Sequence, residues 1–165
     1  MEALLVTPAG IYEIIVSKLL PYFVLGMGGM LLSVSMAVWL FGVPLRGSLW
    51  LLLAASSAFL LCALGMGLLI STVSKNQFVA GEIAILVTFL PAFILSGFVF
   101  DIRSMPAAVQ LITHIVAARY FVGILQSIFL AGNVWSIILP NLLGLILLGT
   151  IFLALARRSA RKSLE

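Results

Sequence analysis

The chain has 165 residues, of which 64% are hydrophobic and only 8% charged, and it carries a net charge of +4. Soluble domains carry roughly 25% charged residues, and a chain this short cannot hide so much apolar surface inside itself. The composition excludes a water-soluble globular domain. It leaves an all-α, polytopic bundle of transmembrane helices, because a helix satisfies its own backbone and needs no polar face toward lipid.

Residues 1–18 read as a cytoplasmic interfacial segment. Met1 to Val6 is mildly amphipathic. Thr7 and Pro8 then form a helix start, with Thr7 as N-cap and Pro8 at the first helical position. The helix that follows carries Glu13 and Lys18 into the first span. No basic stretch precedes an apolar one, so the N-terminus does not read as a signal peptide.

Residues 19–156 form the transmembrane domain. Crossing the hydrocarbon takes about 20 apolar residues in a helix, and four runs are long enough: Leu19 to Phe41, Leu49 to Val73, Phe78 to Phe100 and Trp135 to Ala156. Turn residues from Gly42 to Gly47 close the first run, and the polar cluster from Ser74 to Gln77 closes the second. Between the third and fourth runs, residues 104–131 are too apolar for a loop and too broken to span. Two short helices, from Ala107 toward Val116 and from Arg119 to Leu130, make a re-entrant hairpin there. Ser104 serves as the cap and Pro106 sits in the first turn. Residues 157–165 are a basic cytoplasmic tail.

Lysine and arginine set the orientation. With both termini inside, Lys18, Lys75, Arg157, Arg158, Arg161 and Lys162 lie inside, and Arg46, Arg103 and Arg119 outside. Six against three places both termini in the cytoplasm. Trp39, Trp50 and Trp135 then fall at outer span ends, as an aromatic belt requires.

Chemistry-bearing patterns are sparse. No Gly-x-x-x-x-Gly-Lys-Ser/Thr loop is present, so the chain does not bind ATP by that route. One histidine and one cysteine cannot assemble a metal cluster, and no enzyme activity or cofactor is indicated. Cys62 sits in an apolar run and reads as an inert buried thiol. Glu82, about one turn inside the third span, is the intramembrane carboxylate; it either has a functional role there or snorkels to the cytoplasmic interface. His114 and Arg119 either line an outer gate or anchor the hairpin at the interface. Ala63, Gly67 and Ser71 recur at four-residue spacing, a pattern that lets helices approach closely, within the chain or between chains. Gly26, Gly28 and Gly29 favour close packing or flexibility in the first span. Pro91 removes a backbone donor and kinks the third span.

Three stretches resemble the ABC-2 type permeases, the membrane subunits of bacterial exporters driven by a separate ATPase. The first is Met1-Glu2-Ala3-Leu4-Leu5-Val6-Thr7-Pro8 with Lys18-Leu19-Leu20-Pro21. It is similar to the end of that family's cytoplasmic coupling helix and the span that follows. The second is Leu90-Pro91-Ala92-Phe93-Ile94-Leu95-Ser96-Gly97-Phe98-Val99-Phe100 with Met105-Pro106, similar to the fifth span and outer gate. The third is Ala118-Arg119-Tyr120-Phe121-Val122, similar to the approach to the last span. Asp101 stands where many relatives have proline. Family members have six spans, so four spans resemble the C-terminal portion of a permease truncated at its N-terminus.

The resemblance implies an efflux permease of the bacterial inner membrane that moves substrate outward. Its partners would be an ABC ATPase subunit, which hydrolyses the ATP, a second permease chain and the lipid bilayer, with no nucleic acid. It implies ATPase coupling through Glu2, Leu4 and Leu5. Pro91, Ser96, Gly97 and Pro106 would shape the outer gate, with Arg119 and Tyr120 in the re-entrant segment. Two other readings stay open: a non-transporting membrane scaffold, and an ion-coupled carrier using Glu82.

Overall fold

The computed structural model describes residues 11–74 and 76–162. Among them seven α-helices and no strand form a polytopic bundle. Glu2, Leu4, Leu5 and Lys75 lie outside the described residues.

Helix α1 runs Ile11–Trp39, 29 residues. At about 1.5 Å per residue it is longer than a hydrocarbon core of about 30 Å. It therefore continues through Glu13 and Lys18 without a break at the expected span start. Pro21 lies inside it, and one turn earlier the Ser17 hydroxyl donates to the Ile14 carbonyl at 2.9 Å. Gly42, at φ +64°, turns the chain out of the helix, as a left-handed C-terminal residue does. Of the three glycines expected to pack, only Gly26 does. A Cβ there would sit 2.6 Å from Leu60 Cδ2, whereas Gly28 and Gly29 face open space.

Helix α2, Leu49–Val73, is the centre of the bundle. Its buried residues are Leu52, Ala55, Ser56, Cys62 and Gly65, and it packs mainly on α7, which runs Trp135–Lys162. Small residues set the approach: a Cβ on Gly149 would meet the Cys62 backbone at 3.6 Å, and one on Gly65 would meet Leu153 Cγ at 3.1 Å. Ala63, Gly67 and Ser71 lie on the exposed side, and nothing is within 4 Å of a Cβ built on Gly67. The small-residue stripe visible in the sequence is thus not the one that packs within this chain.

Helix α3, Gln77–Ala84, starts where the Asn76 side chain accepts from the Phe78 N–H at 3.0 Å. A π-turn, Ile85–Phe89, leads into α4, Leu90–Leu95. Together they form one apolar arm, Gln77–Leu95. Pro91 explains the wide turn. It has no N–H to offer the Val87 carbonyl and its ring crowds that carbonyl, and an extra residue in the turn relieves both problems. The arm stops at Leu95, short of the expected Phe100. Ser96 and Gly97, the latter at φ +84°, break the helix before the apolar Phe98-Val99-Phe100.

A 3₁₀ turn, Ile102–Ser104, is capped by the Asp101 carboxylate, which accepts from the Arg103 N–H at 3.0 Å. Helix α5, Ala107–Thr113, begins after Pro106, its N-cap. Ser104 instead donates back to the Asp101 carbonyl at 2.6 Å, so it is not the cap that its position suggested. Helix α6, Ala117–Gln126, continues as a second π-turn, Ser127–Ala131. The two halves of this hairpin meet at 86°.

The core joins α2, α6 and α7 through Leu52, Ala55, Ile124, Ile128, Ile138 and Leu145. Polar bonds stitch one end of it. Gly47 N–H donates to the Ile128 carbonyl at 2.8 Å, and Ser48 N–H donates to Asn133 Oδ1 at 2.8 Å. The tryptophans collect at this same end, with Trp39 and Trp50 90% and 81% exposed. At the opposite end the Arg157 guanidinium lies 4.4 Å over the Tyr12 ring, tying the start of α1 to the end of α7.

Candidate functional site

The right-angled corner between α5 and α6 gathers several polar side chains. Arg119 sits in the first turn of α6, half-buried. Its Nη1 donates to the Gln110 carbonyl at 3.4 Å, to the Thr113 hydroxyl, and to His114 Nδ1 at 3.1 Å. A guanidinium only donates, so in this contact the ring nitrogen accepts. The same Nδ1 lies 3.0 Å from the Gln110 carbonyl, a contact that needs the ring nitrogen to donate. The two contacts therefore belong to different proton positions on His114.

Tyr120 braces the corner from the other side. Its hydroxyl donates to the His114 carbonyl at 2.9 Å. Its ring fills the space over Gly144 on α7, where a Cβ would sit 2.7 Å from Tyr120 Cε1. One turn on, a Cβ on Gly123 would be 3.0 Å from the Asn141 amide. Two glycines thus bring α6 against α7 and hold the Asn141 carboxamide at the corner.

A cavity of about 320 Å³ opens between this corner and the tip of the arm. Ser96 and Gly97 line it from the arm, Asp101 and Arg103 from the 3₁₀ turn, Gln110 and Arg119 from the corner, and Gln126 and Asn141 from α6 and α7. Ser96 is only 4% exposed and accepts from the Phe98 N–H at 3.4 Å. Of the residues singled out for an outer gate, Ser96, Gly97 and Arg119 line one cavity. Tyr120 lies behind it, Pro106 starts α5, and Pro91 is more than one turn back along the arm. Glu82 is exposed on α3 and does not line it.

Gln110, Gln126 and Asn141 were missed from the sequence. Asn141 carried the clearer signal, since a carboxamide inside an apolar span needs a partner. Part of its need is met locally, where Nδ2 donates to the Ile137 carbonyl at 2.9 Å.

A second, apolar groove of about 420 Å³ runs between α1, α2 and α6. Met30, Phe59, Leu60 and Phe121 line it, with Phe59 and Phe121 stacked at 4.5 Å between ring centroids. Ser56, 2% exposed, also lines it, and its hydroxyl is without a hydrogen-bond partner. Its neighbour Ser57 donates back to the Leu53 carbonyl at 2.8 Å. That is the usual way a helical serine is satisfied.

Comparison with known proteins gives a consistent answer. The family model described as ABC-2 type transporter matches residues 1–130. The probable multidrug ABC transporter permease YbhS of Escherichia coli K12 is 48% identical over 165 residues, all of this chain. The inner membrane transport permease YhhJ of the same strain is 31% identical over 99% of the chain. The probable multidrug ABC transporter permease YbhR is 30% identical over 96% of it. The chain spans 44% of the length of each of these relatives. No solved structure matches it.

Proposed function

Because this chain belongs to the ABC-2 type transporter family, we propose that it forms part of the permease of an ATP-driven exporter in a bacterial inner membrane. The observation that carries the reading is the 48% identity, along the whole chain, to a protein named a probable multidrug ABC transporter permease. ATP is hydrolysed in a separate subunit. That subunit drives the permease only by binding its two conformations with different affinity.

On this reading both termini are cytoplasmic, so the tryptophan end faces outward. Glu2, Leu4 and Leu5 dock on the ATPase. Ser96, Gly97, Pro106, Arg119 and Tyr120 form the outer gate, and Pro91 shapes the arm that carries its inner wall. Glu82 snorkels to the cytoplasmic interface. Ala63, Gly67 and Ser71 face a second permease chain, which their exposure on α2 supports. The aromatic groove with its single free Ser56 hydroxyl suits a hydrophobic cargo that can form one hydrogen bond. This fits the word "multidrug" in the relatives' names.

The test is co-purification. Joined to the rest of its permease, the chain retains an ABC ATPase through detergent extraction. The Leu4→Asp/Leu5→Asp pair loses it while leaving the amount of folded permease in the membrane unchanged. A permease that never retains an ATPase removes the exporter reading.

A further inference from the structure

Among the described residues, the guanidinium of Arg119 has no carboxylate among its hydrogen-bond partners. A guanidinium at membrane depth is costly unless paired. Yet every bond Arg119 makes goes to the Gln110 carbonyl, the Thr113 hydroxyl or the His114 ring, and these engage one of its two terminal nitrogens. Among the described residues no bond reaches its Nη2 or Nε, and Arg119 lines the cavity. Arg103 adds a second positive charge to the lining and Asp101 subtracts one, so one positive charge remains in excess. The Asp101 carboxylate is held by the Arg103 N–H at 3.0 Å, where it caps its own turn. The carboxamides of Gln126 and Asn141 supply neutral donors on the α6–α7 side of the lining.

We infer that this cavity binds a singly charged phosphate ester, held by Arg119 and donated to by Gln126 and Asn141. Three observations select that chemistry. A planar guanidinium edge pairs two phosphate oxygens at once. A lining with one excess positive charge favours a monoanion over a dianion. The cavity of about 320 Å³ has room for roughly ten waters at about 30 Å³ each, enough for a phosphodiester with a glycerol attached. The cavity also lies beyond the last turn of the arm, where Ser96 and Gly97 line it. Two sources offer the same chemistry there: an anionic phospholipid and a soluble phosphate ester.

The site borrows only its sidedness from the exporter reading. The experiment uses the full-length permease in detergent, with bound lipid counted by intact-complex mass spectrometry after incubation with phosphatidylglycerol or phosphatidylcholine. Glycerophosphoglycerol, a soluble diester with a single negative charge, competes in a parallel arm. The expected result is about tenfold better retention of phosphatidylglycerol, lost in Arg119→Gln and partly kept in Arg119→Lys, which preserves charge without the fork. Arg119 also braces the corner, so Gln126→Leu and Asn141→Leu provide variants that leave its bonds intact; each lowers retention by about threefold to tenfold. Displacement by glycerophosphoglycerol without selective lipid retention keeps the phosphate site and assigns it to a soluble ligand. Equal retention of both lipids with no competition by glycerophosphoglycerol, or a wild-type response in the Gln126→Leu and Asn141→Leu variants, overturns the inference. ATPase co-purification from the same samples reports on the exporter reading independently.

Discussion

The α2–α6–α7 core and the Gln77–Leu95 arm have nearly the same composition and opposite fates. Both are mostly apolar. In the core, glycines bring helices into contact and side chains such as Leu52, Ile124 and Leu145 are fully buried. In the arm no residue is buried, and Phe78, Leu86, Phe89 and Phe93 all stand exposed. Hydrophobicity therefore does not decide what packs in this molecule. Lipid tails are as apolar as leucine, so association of helices rests on shape, close approach and a few polar bonds. The core has these features. The arm touches the rest of the chain mainly at its two ends, through α2 and α6, which leaves its middle free for lipid or another chain.

Matched substitutions break or sharpen this contrast. The largest difference is expected between Leu145→Ala and Leu86→Ala. The first empties a fully enclosed site and costs about 2–4 kcal/mol. The second removes the same atoms from an exposed flank and changes stability by less than about 0.5 kcal/mol. Thermal unfolding of the detergent-solubilised protein measures both, and a similar loss from each erases the distinction between core and arm.

Next comes a pair of glycines. Gly144→Val pushes a side chain into the Tyr120 ring, which cannot swing away because its hydroxyl is tied to the His114 carbonyl. The expected loss is about 1–3 kcal/mol. Gly67→Val points into open space and leaves the fold intact. If a second chain packs on that face, cross-linking between chains falls in the Gly67 variant alone.

The smallest effect concerns the polar stitching. Asn133→Ala leaves the Ser48 N–H at the start of α2 without its acceptor. A loss of about 1 kcal/mol is expected, with faster hydrogen exchange at Ser48. Exchange unchanged from wild type means that the bond at 2.8 Å does not hold the loop.

What the sequence makes legible follows from the same physics. Span positions are readable because the bilayer demands a minimum apolar length. The stops at Gly42 and at Ser74 are readable because their turn chemistry is local. The end of the arm is not, because Phe98-Val99-Phe100 continues the apolar run past the break at Gly97. Packing faces are hidden for a related reason. A helix that is apolar all round carries no amphipathic stripe, so Ala63-Gly67-Ser71 and Ala55-Cys62-Gly65 look equally suited to an interface. The site was half legible. Arg119 and Ser96 stand out as polar groups among apolar ones, and Gly97 follows from the same turn. That Gln126 and Asn141 join them depends on a right-angled corner and on two glycines in different helices, which no local pattern encodes.

The wide turn at Ile85–Phe89 has a geometric consequence beyond relieving Pro91. Along a regular helix each residue advances the bearing of its side chain by about 100°. One surplus residue therefore offsets the azimuth of everything beyond it by that amount. The arm has two compass settings, one for Gln77–Ala84 and one for Leu90–Leu95. The upper setting aims Ser96 and Gly97 at the corner of α6. Pro91 thus acts at a distance along the helix, as a fixed phase shift that selects which side of the arm's tip the cavity sees.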